Sequence, residues 1–388
     1  MKKRHLAMLM ACVLSAGVLT GCQKETKEAD KAAETESVET AATEEIRETE
    51  SEAPSEAAPA ETEEKEPEAE AVPEDPGVPM VGVVTYEGGV EDASFNQSAW
   101  EGLQRLSGLF DCKTKFTEGG GASGFEGKLN EMISAGGDLI WGMGYECRDA
   151  VLAAAPEHPD VTFAIFDYDE ENLPENVAGV VFRDEEPSFL AGYLAGTMTE
   201  TGKVGFIGGV EDTIIDHFRY GFKAGVFHAS KETGKEVAVE DVFADSYNDP
   251  EKGKELAKGL YDGGCDIIFH AAGETGVGVI QAAKEADRFV IGVDKDQSFL
   301  APQNVITSVM KYVNKALVDV SMDYLIGNSV GGRTVRLGLE DDALGISENH
   351  SLYPAELYEK LLELKDQIVA GKLWAPANKE QYEVFLTL

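Results

Sequence analysis

The chain has 388 residues, enough for two or three domains, and 43% of them are hydrophobic, which is enough to form substantial cores. Its 72 acidic and 33 basic residues give a formal net charge of −39. A field of this sign repels nucleic-acid phosphates and anionic lipid headgroups, so nucleic-acid binding and electrostatic adsorption to membranes are disfavoured.

The N-terminal 21 residues have the pattern of an export signal. Basic residues at positions 2–4 precede an apolar stretch at 6–19, which is shorter than the about 20 residues that a bilayer span needs. The stretch ends in Leu-Thr-Gly followed by Cys22, which resembles the bacterial lipobox, whose cysteine is lipidated. We expect residues 1–21 to be removed and Cys22 to hold the protein on the outer face of the cytoplasmic membrane, since the lipid brings the two acyl chains that stable anchoring needs. The alternative is an ordinary signal peptide beside an unrelated cysteine.

The segment that follows Cys22 has the composition of a disordered spacer. Residues 23–79 contain 20 acidic and 5 basic residues and no aromatic residue. Such a segment cannot bury enough apolar surface to offset the loss of chain entropy on folding. Residues 22–79 are therefore predicted to be a lipidated cysteine and an acidic tether.

The cysteines and histidines give no indication of a metal site. Outside the predicted signal and anchor, only Cys112, Cys147 and Cys265 remain, an odd number without Cys-x-x-Cys or Cys/His ligand spacing. We expect buried free thiols, no metal and no cofactor.

Residues 80–388 alternate between short apolar runs and amphipathic stretches, which is typical of parallel α/β units. The apolar runs predict buried strands at 80–85, 138–144, 161–166, 178–182, 203–207, 237–243, 266–271 and 289–293. The amphipathic stretches predict helices that include 96–109, 187–200, 214–230, 250–262 and 354–371.

One pentapeptide follows two of these strands. Gly-Gly-Val-Glu-Asp occurs at 88–92, after strand 80–85, and again at 208–212, after strand 203–207. Two lobes that each begin with a strand, a glycine turn and a helix would explain the repetition. Ligands of open parallel sheets bind at the carboxyl ends of the strands, so two facing lobes predict a cleft there.

The start of helix 96–109 carries side chains suited to a planar ligand. Ser94 and Gln97 form a Ser-x-x-Gln pattern, which predicts a capping box. Phe95 and Asn96 then lie at the helix N-terminus, where an aromatic face stacks on a base and an amide both donates and accepts hydrogen bonds. Without further information, a core position for Phe95 is the alternative.

Six segments resemble the basic membrane protein family of ABC-transporter solute-binding lipoproteins, of the purine-nucleoside-receptor type. They are 92–97 (Asp-Ala-Ser-Phe-Asn-Gln), 188–193 (Ser-Phe-Leu-Ala-Gly-Tyr), 202–206 (Gly-Lys-Val-Gly-Phe), 249–253 (Asp-Pro-Glu-Lys-Gly), 291–297 (Ile-Gly-Val-Asp-Lys-Asp-Gln) and 307–311 (Thr-Ser-Val-Met-Lys). The resemblance implies an α/β type I periplasmic-binding-protein fold, with two doubly wound parallel-sheet lobes joined by three hinge crossovers. We place lobe 1 at about 80–183 plus 309–330, and lobe 2 at about 184–308 plus 331–388.

The resemblance also implies roles at the base end of a nucleoside. The Phe-Asn pair at 95–96 would stack on the base and hydrogen-bond its edge. Asp167, which ends strand 161–166, would hold the base edge, with Asp169 as the alternative. Tyr247 would cover the other face of the base, with Phe243 as the alternative.

Three residues are implied at the sugar. Asp294 would accept hydrogen bonds from the ribose hydroxyls, and a carboxylate is suited to a diol because both oxygens accept. Lys311 would also reach the ribose, and it would pair with Asp294 when the cleft is empty. Gly273 would allow close approach of the backbone.

The sequence departs from the family pattern at two positions. Tyr86 stands where the family has an aspartate on the ribose, and Glu274 stands where it has a second glycine. Tyr86 and Glu274 are therefore further candidates for ligand contact, as is Asp92. The ligand could also be a modified nucleoside, a free base or a molecule of another class.

The expected function is a solute-binding component of an ABC importer, with the permease and ATPase complex as its partners. A sensor of the same fold that signals to a membrane protein is the alternative. No enzyme is expected, because the sequence contains no G-x-S-x-G, H-E-x-x-H or P-loop motif.

Overall fold

The computed structural model describes residues 77–388. The predictions for the export signal, for Cys22 and for almost all of the acidic spacer therefore lie outside the described residues.

Two six-stranded sheets organise residues 77–388. The strands are β1 (Met80–Thr85), β2 (Lys113–Glu118), β3 (Leu139–Met143), β4 (Thr162–Phe166), β5 (Val177–Phe182), β6 (Lys203–Gly208), β7 (Ala238–Phe243), β8 (Ile267–Ala271), β9 (Phe289–Asp294), β10 (Val305–Lys311), β11 (Arg333–Leu337) and β12 (Leu344–Ile346). The first sheet has the order β11-β5-β4-β3-β1-β2 and the second β12-β10-β9-β8-β6-β7. Pairing is parallel except between β10 and β12.

Ten α-helices accompany these strands in the described residues. They are α1 (Phe95–Leu109), α2 (Ala122–Ser134), α3 (Arg148–Ala154), α4 (Glu185–Met198), α5 (Thr213–Thr233), α6 (Pro250–Asp262), α7 (Thr275–Ala286), α8 (Val313–Leu325), α9 (Ala355–Val369) and α10 (Lys379–Phe385). None of these helices is both long enough and apolar enough to span a membrane.

Central strands are apolar along their whole length because helices cover both faces of a parallel sheet. Each residue of β1, β3 and β5 is buried. In the first lobe the rings of Trp141 and Phe166 stack with centroids 4.5 Å apart, and Phe166 continues the stack to Phe182. This core supports the strand ends that carry Asp167 and Asp184.

The chain passes between the two sheets three times within residues 77–388: from β5 to α4, from β10 to α8, and from β11 to β12.

The boundaries of the two lobes differ from the predicted ones in two places. All of β10 belongs to the second sheet, although residues 309–311 were predicted in lobe 1. Strand β11 pairs with β5 in the first sheet, although residues 331–388 were predicted in lobe 2. Because β11 is half-exposed and polar, it carries no apolar run that could have indicated a strand.

The three cysteines of the described residues are free thiols. Cys147 and Cys265 are buried, and Cys112 is half-buried. Burial raises the pKa of all three thiols, which disfavours the reactive thiolate at neutral pH.

Candidate ligand-binding site

A cavity lies where the carboxyl ends of the strands of both sheets meet. The residues that the sequence singled out for ligand contact all line it: Tyr86, Asp92, Phe95, Asn96, Asp167, Tyr247, Gly273, Glu274, Asp294 and Lys311. The alternatives Asp169 and Phe243 do not line it, and Asp169 instead binds Arg336, whose Nε donates to Oδ2 at 2.9 Å. Whether the ten residues bind a ligand stays a prediction.

Asp92 organises the first turn of α1. Its carboxylate accepts hydrogen bonds from the backbone N–H groups of Ser94 (2.9 Å), Asn96 (2.8 Å) and Gln97 (3.0 Å). Burial raises the pKa of Asp92, and these three bonds act against that rise. The predicted capping box is wrong, since Asp92 occupies the helix donors that the Ser94 side chain would have capped.

The Ser94 side chain forms a hydrogen bond across the cleft. Its hydroxyl donates to Oδ2 of Asp294, which ends β9 in the other lobe. The backbone of Asp294 is left-handed (φ 64°), a conformation that Asp tolerates better than most residues. Burial raises the pKa of Asp294 to about 6, although the charge of Lys311 and the bond from Ser94 lower it.

Phe95 and Asn96 follow at the N-terminus of α1. The Phe95 ring packs edge-on against Phe166, with centroids 6.0 Å apart, and its centroid lies 5.3 Å from Nζ of Lys311. Asn96 donates from Nδ2 to the carbonyl of Glu87 at 2.9 Å, which fixes the amide orientation and leaves its carbonyl oxygen for a ligand.

Lys311 is the centre of a buried charge cluster. Its Nζ lies 2.9 Å from Oδ1 of Asp167 and 3.1 Å from Oδ2 of Asp184, and its side chain is 2% exposed. Burial opposes the ammonium form, but the neighbouring carboxylates outweigh it and raise the pKa of Lys311. The expected pair of Lys311 with Asp294 is replaced by these two hydrogen-bonded partners.

Asp184 was missed by the sequence reasoning. It is fully buried in the passage from β5 to α4, and burial raises its pKa well above the usual value, against the attraction of Lys311. A signal was available, because Asp184 follows a buried strand as Asp167 does.

The second lobe contributes Tyr247, Asp212 and Gly273. The Tyr247 hydroxyl donates to Oδ2 of Asp212 at 3.2 Å, and Asp212 caps α5 by accepting from the N–H of Ile215 at 2.7 Å. Gly273 has a left-handed backbone (φ 54°), and a Cβ there would lie 3.0 Å from the carbonyl of Tyr247. The structure thus brings Tyr247 and Phe95 to one cavity from opposite lobes.

Tyr86 and Glu274, the two residues that depart from the family pattern, have different surroundings. The ring of Tyr86 lies against Phe125 of α2, with centroids 6.3 Å apart, so part of its surface belongs to the core of the first lobe. Glu274 immediately precedes α7 and is half-buried.

Direct contacts join the two lobes beside the cavity. Nζ of Lys295 lies 2.7 Å from Oε1 of Gln97 and 2.5 Å from Oε1 of Glu101. Nε2 of Gln297 donates to the carbonyl of Ala93 at 3.1 Å. The lobes are therefore closed against each other along this side.

No group of three or more His, Cys, Asp or Glu side chains within residues 77–388 is arranged to hold a metal ion. The lining also contains no Ser, Thr, Cys or His among the described residues. The lining combines aromatic and aliphatic side chains with carboxylates, two amides and one amine, and these groups can stack and form hydrogen bonds.

The family model Bmp, described as ABC transporter substrate-binding protein PnrA-like, matches residues 80–379. Basic membrane protein A2 of Borrelia garinii subsp. bavariensis is 38% identical over 315 residues, covering 80% of this chain and 92% of that protein. Basic membrane protein B of the same organism is 40% identical over 311 residues, covering 77% and 88%.

A solved structure has the same architecture. The crystal structure of an ABC transporter system solute-binding protein from Aeropyrum pernix K1 superposes with a TM-score of 0.72 at 25% identity, covering 79% of this chain and 96% of that one. The fold class predicted from the sequence, two parallel-sheet lobes of the periplasmic-binding type, is confirmed. The chain belongs to the Bmp family of ABC transporter substrate-binding proteins.

Proposed function

We propose that this substrate-binding protein takes a purine nucleoside into the cavity between its lobes and delivers it to an ABC permease. One observation carries the proposal: aromatic rings from both lobes, Phe95 and Tyr247, line the same cavity as the buried carboxylates Asp167 and Asp294. A nucleoside combines a flat apolar base with a hydroxyl-rich sugar, and this set of groups suits both halves.

At the base, stacking supplies the apolar part of the affinity. Phe95 and Tyr247 offer one ring from each lobe, and aromatic contacts contribute about 0.5–1.5 kcal/mol beyond the burial of area. The free carbonyl oxygen of Asn96 and the second oxygen of Asp167 accept hydrogen bonds from N–H groups on the edge of the base.

At the sugar, Asp294 accepts from the cis-diol and Lys311 donates to it. Asp294 has an alternative partner in Ser94, so a ribose hydroxyl would replace the Ser94 hydroxyl rather than meet an unpaired charge. Gly273 presents no side chain, which allows the sugar to approach the backbone.

The residues that line the cavity support ligand binding without catalysis. Asp167 is bound to Lys311, and Asp92 is bound to three backbone N–H groups, so neither is poised as a catalytic base. We therefore propose no catalytic residue.

We further propose that a lipid on Cys22 anchors the protein outside the cytoplasmic membrane, and that the acidic segment after it is the tether. The lipobox-like Leu-Thr-Gly-Cys sequence supports this. Cys22→Ser should move the protein from the membrane fraction to the soluble fraction, whereas Cys12→Ser, within the predicted signal peptide, should not.

A thermal-shift panel tests the ligand class. The panel contains adenosine, guanosine and inosine, their free bases, ribose and amino acids. A nucleoside at 100 times its Kd should stabilise the protein by about 2.7 kcal/mol, and the shift should grow with concentration. If the nucleosides leave the melting temperature unchanged while another class raises it, the ligand assignment is wrong.

A further inference from the structure

Two carboxylates hold the ammonium of Lys311, but only one of them lines the cavity. Nζ of Lys311 donates to Oδ1 of Asp167, a lining residue, at 2.9 Å. It also donates to Oδ2 of Asp184 at 3.1 Å, and Asp184 is fully buried outside the lining. Asp184 can therefore act on a ligand only through Lys311.

Charge balance does not explain Asp184. One carboxylate neutralises one ammonium, and Asp167 already supplies it, so a second ionised carboxylate leaves the three side chains with an excess negative charge. A buried charge without a full set of partners is unfavourable, and Oδ1 of Asp184 has no hydrogen-bond partner among the described residues. What Asp184 adds is geometry, because a second acceptor fixes the position of Nζ.

The backbone on both sides of Asp184 is itself held in place. The N–H of Arg183, the residue before it, donates to the carbonyl of Leu337 at the end of β11, at 2.8 Å. The carbonyl of Asp184 accepts from the N–H of Ser188 in α4, at 3.2 Å. The carboxylate is thus attached to a part of the passage from β5 to α4 that cannot shift easily.

One donor of Lys311 is left over. An ammonium has three N–H groups, and Asp167 and Asp184 accept from two of them. Nζ makes no further hydrogen bond to the part of the chain that the structure describes, and three aromatic rings surround it with centroids 4.9–5.4 Å away. Because Lys311 lines the cavity, the third N–H is available to a ligand.

We infer that Asp184 is a positioning residue, which holds the ammonium of Lys311 so that its third N–H meets the sugar of the ligand. This inference rests on the proposed function, in which Lys311 donates to the ribose, and it adds the residue that orients the donor. Without the charge of Asp184, the ammonium has one carboxylate partner and is free to turn towards Asp167. Recognition of the ribose hydroxyls should then weaken, while stacking of the base is kept.

Calorimetric titration of the full chain tests the inference, on the wild type and on Asp184→Asn, which keeps the shape of the side chain and removes its charge. The ligands are adenosine and inosine, each compared with its dideoxy analogue, which has the same base but lacks both hydroxyls of the cis-diol. The ratio of the two Kd values measures recognition of the hydroxyls. Loss of a hydrogen bond from a charged donor should reduce this ratio about tenfold in the variant.

A second buried aspartate provides the matched control. Asp266 is 7% exposed, lies outside the cavity lining, and accepts from the hydroxyl of Thr199 and the N–H of Glu200, both at 2.7 Å. Asp266→Asn should lower the stability but leave the ratio unchanged. Thermal melting checks that each variant is folded, and Asp184→Ser replaces Asp184→Asn if the latter is not.

Urea denaturation shows whether Asp184 acts through Lys311. In the wild type, Asp184→Asn should lower the free energy of unfolding, because it removes a partner of the ammonium. In Lys311→Met, the same change should raise it, because it removes a buried carboxylate that has no cation. A decrease of equal size in both backgrounds would show that Asp184 acts independently of Lys311 and would contradict the inference.

The titrations separate the two proposals. If the wild type binds the nucleosides and a folded Asp184 variant keeps the ratio, or weakens both ligands of a pair alike, Asp184 does not orient the donor and the proposed function stands. If neither adenosine nor inosine binds to the folded wild type, the proposed function fails and this inference fails with it.

Discussion

At the scale of single residues, the ammonium of Lys311 contacts both carboxylates and aromatic rings beside the cavity. Two carboxylates bind its ammonium, and the rings of Phe95, Phe182 and Phe218 surround it with centroids 4.9–5.4 Å away. The rings exclude water and attract the cation, while the carboxylates neutralise it. Asp167 and Asp184 therefore depend on Lys311 as much as it depends on them.

Replacing Lys311 by Met should destabilise the protein by about 3–5 kcal/mol, because two buried carboxylates lose their cation. Urea denaturation measures the loss. The control is Lys315→Met, which removes an amine that is 43% exposed and paired with Asp319, so it should cost less than about 1 kcal/mol. Equal losses in the two variants would mean that the cluster contributes no more than a surface ion pair.

Asp294 should make stability depend on pH below neutrality. Its pKa is raised from 3.8 to about 6, so between these values the folded state holds a proton that the unfolded state has lost. The resulting stabilisation is present below pH 3.8 and is lost as the pH rises to about 6. Relative to Asp294→Asn, the wild type should therefore lose several degrees of melting temperature between pH 4 and pH 6 and stay level above about pH 7.

The comparison is a melting curve of both proteins at half-unit steps of pH. Other raised groups, among them Glu185 with a pKa of about 7, are present in both proteins and cancel in the difference. A difference that does not vary with pH would show that Asp294 titrates as an ordinary carboxyl.

The role of a single side chain could be predicted only where that residue belongs to a recognisable motif. Phe95, Asn96, Asp294 and Lys311 stand in segments that resemble the family, and all four line the cavity. Asp184 and Asp212 stand in no such segment, and their importance comes from contacts with Lys311 and Tyr247, which lie far away in the chain. The Ser94 prediction failed for a local reason, since the neighbouring Asp92 accepts from the helix donors that Ser94 would have capped.

At the scale of elements, glycines set the distance between α4 and α5. A Cβ at Gly225 would collide with the carbonyl of Phe189, and one at Gly192 would collide with the carbonyl of Phe222. These collisions involve backbone atoms, which cannot rotate away. The two helices therefore pack backbone to backbone, next to the passage from β5 to α4 that carries Asp184.

Gly225→Ala should destabilise the protein by about 1–3 kcal/mol, because the helices must separate. Gly259→Ala is the matched control, since α6 has open space at that position and alanine is the better helix former. It should stabilise the protein by up to about 1 kcal/mol. Both values come from chemical denaturation, and a stabilising Gly225→Ala would disprove the close packing.

At the level of single elements, prediction worked for the strands that an apolar run marks, and it did not find β10, although that strand is almost entirely buried. Strands β1, β6 and β8 begin and end within one residue of the predicted positions, because long apolar runs mark them. Strand β2 (Lys-Thr-Lys-Phe-Thr-Glu) and strand β11 lie at sheet edges and are largely polar. Edge strands need not be apolar, so their place in the sheet follows from pairing that the sequence does not display.

At the scale of the whole molecule, the net charge of −39 has more than one origin. Part belongs to the acidic segment before residue 80. Another part lies in the cavity itself, with seven acidic residues against one basic residue. This local excess favours neutral or amino-bearing ligands over phosphorylated ones.

The fold of the whole molecule was the most predictable level, and the ligand was the least. Alternating apolar and amphipathic stretches and a repeated Gly-Gly-Val-Glu-Asp indicate two α/β lobes. We expect ligand choice to depend on cavity side chains such as Tyr86 and Glu274, whose surroundings are set by contacts that the sequence does not display.

The central claim is nucleoside binding between the lobes, and calorimetric titration of the full chain with adenosine, guanosine and inosine tests it most directly. We predict one-to-one binding of at least one of them, with a nanomolar-to-micromolar Kd that Asp294→Ala abolishes and the exposed control Asp262→Ala retains. Absence of binding heat with all three nucleosides, or undiminished binding by a folded Asp294→Ala variant, would contradict the account.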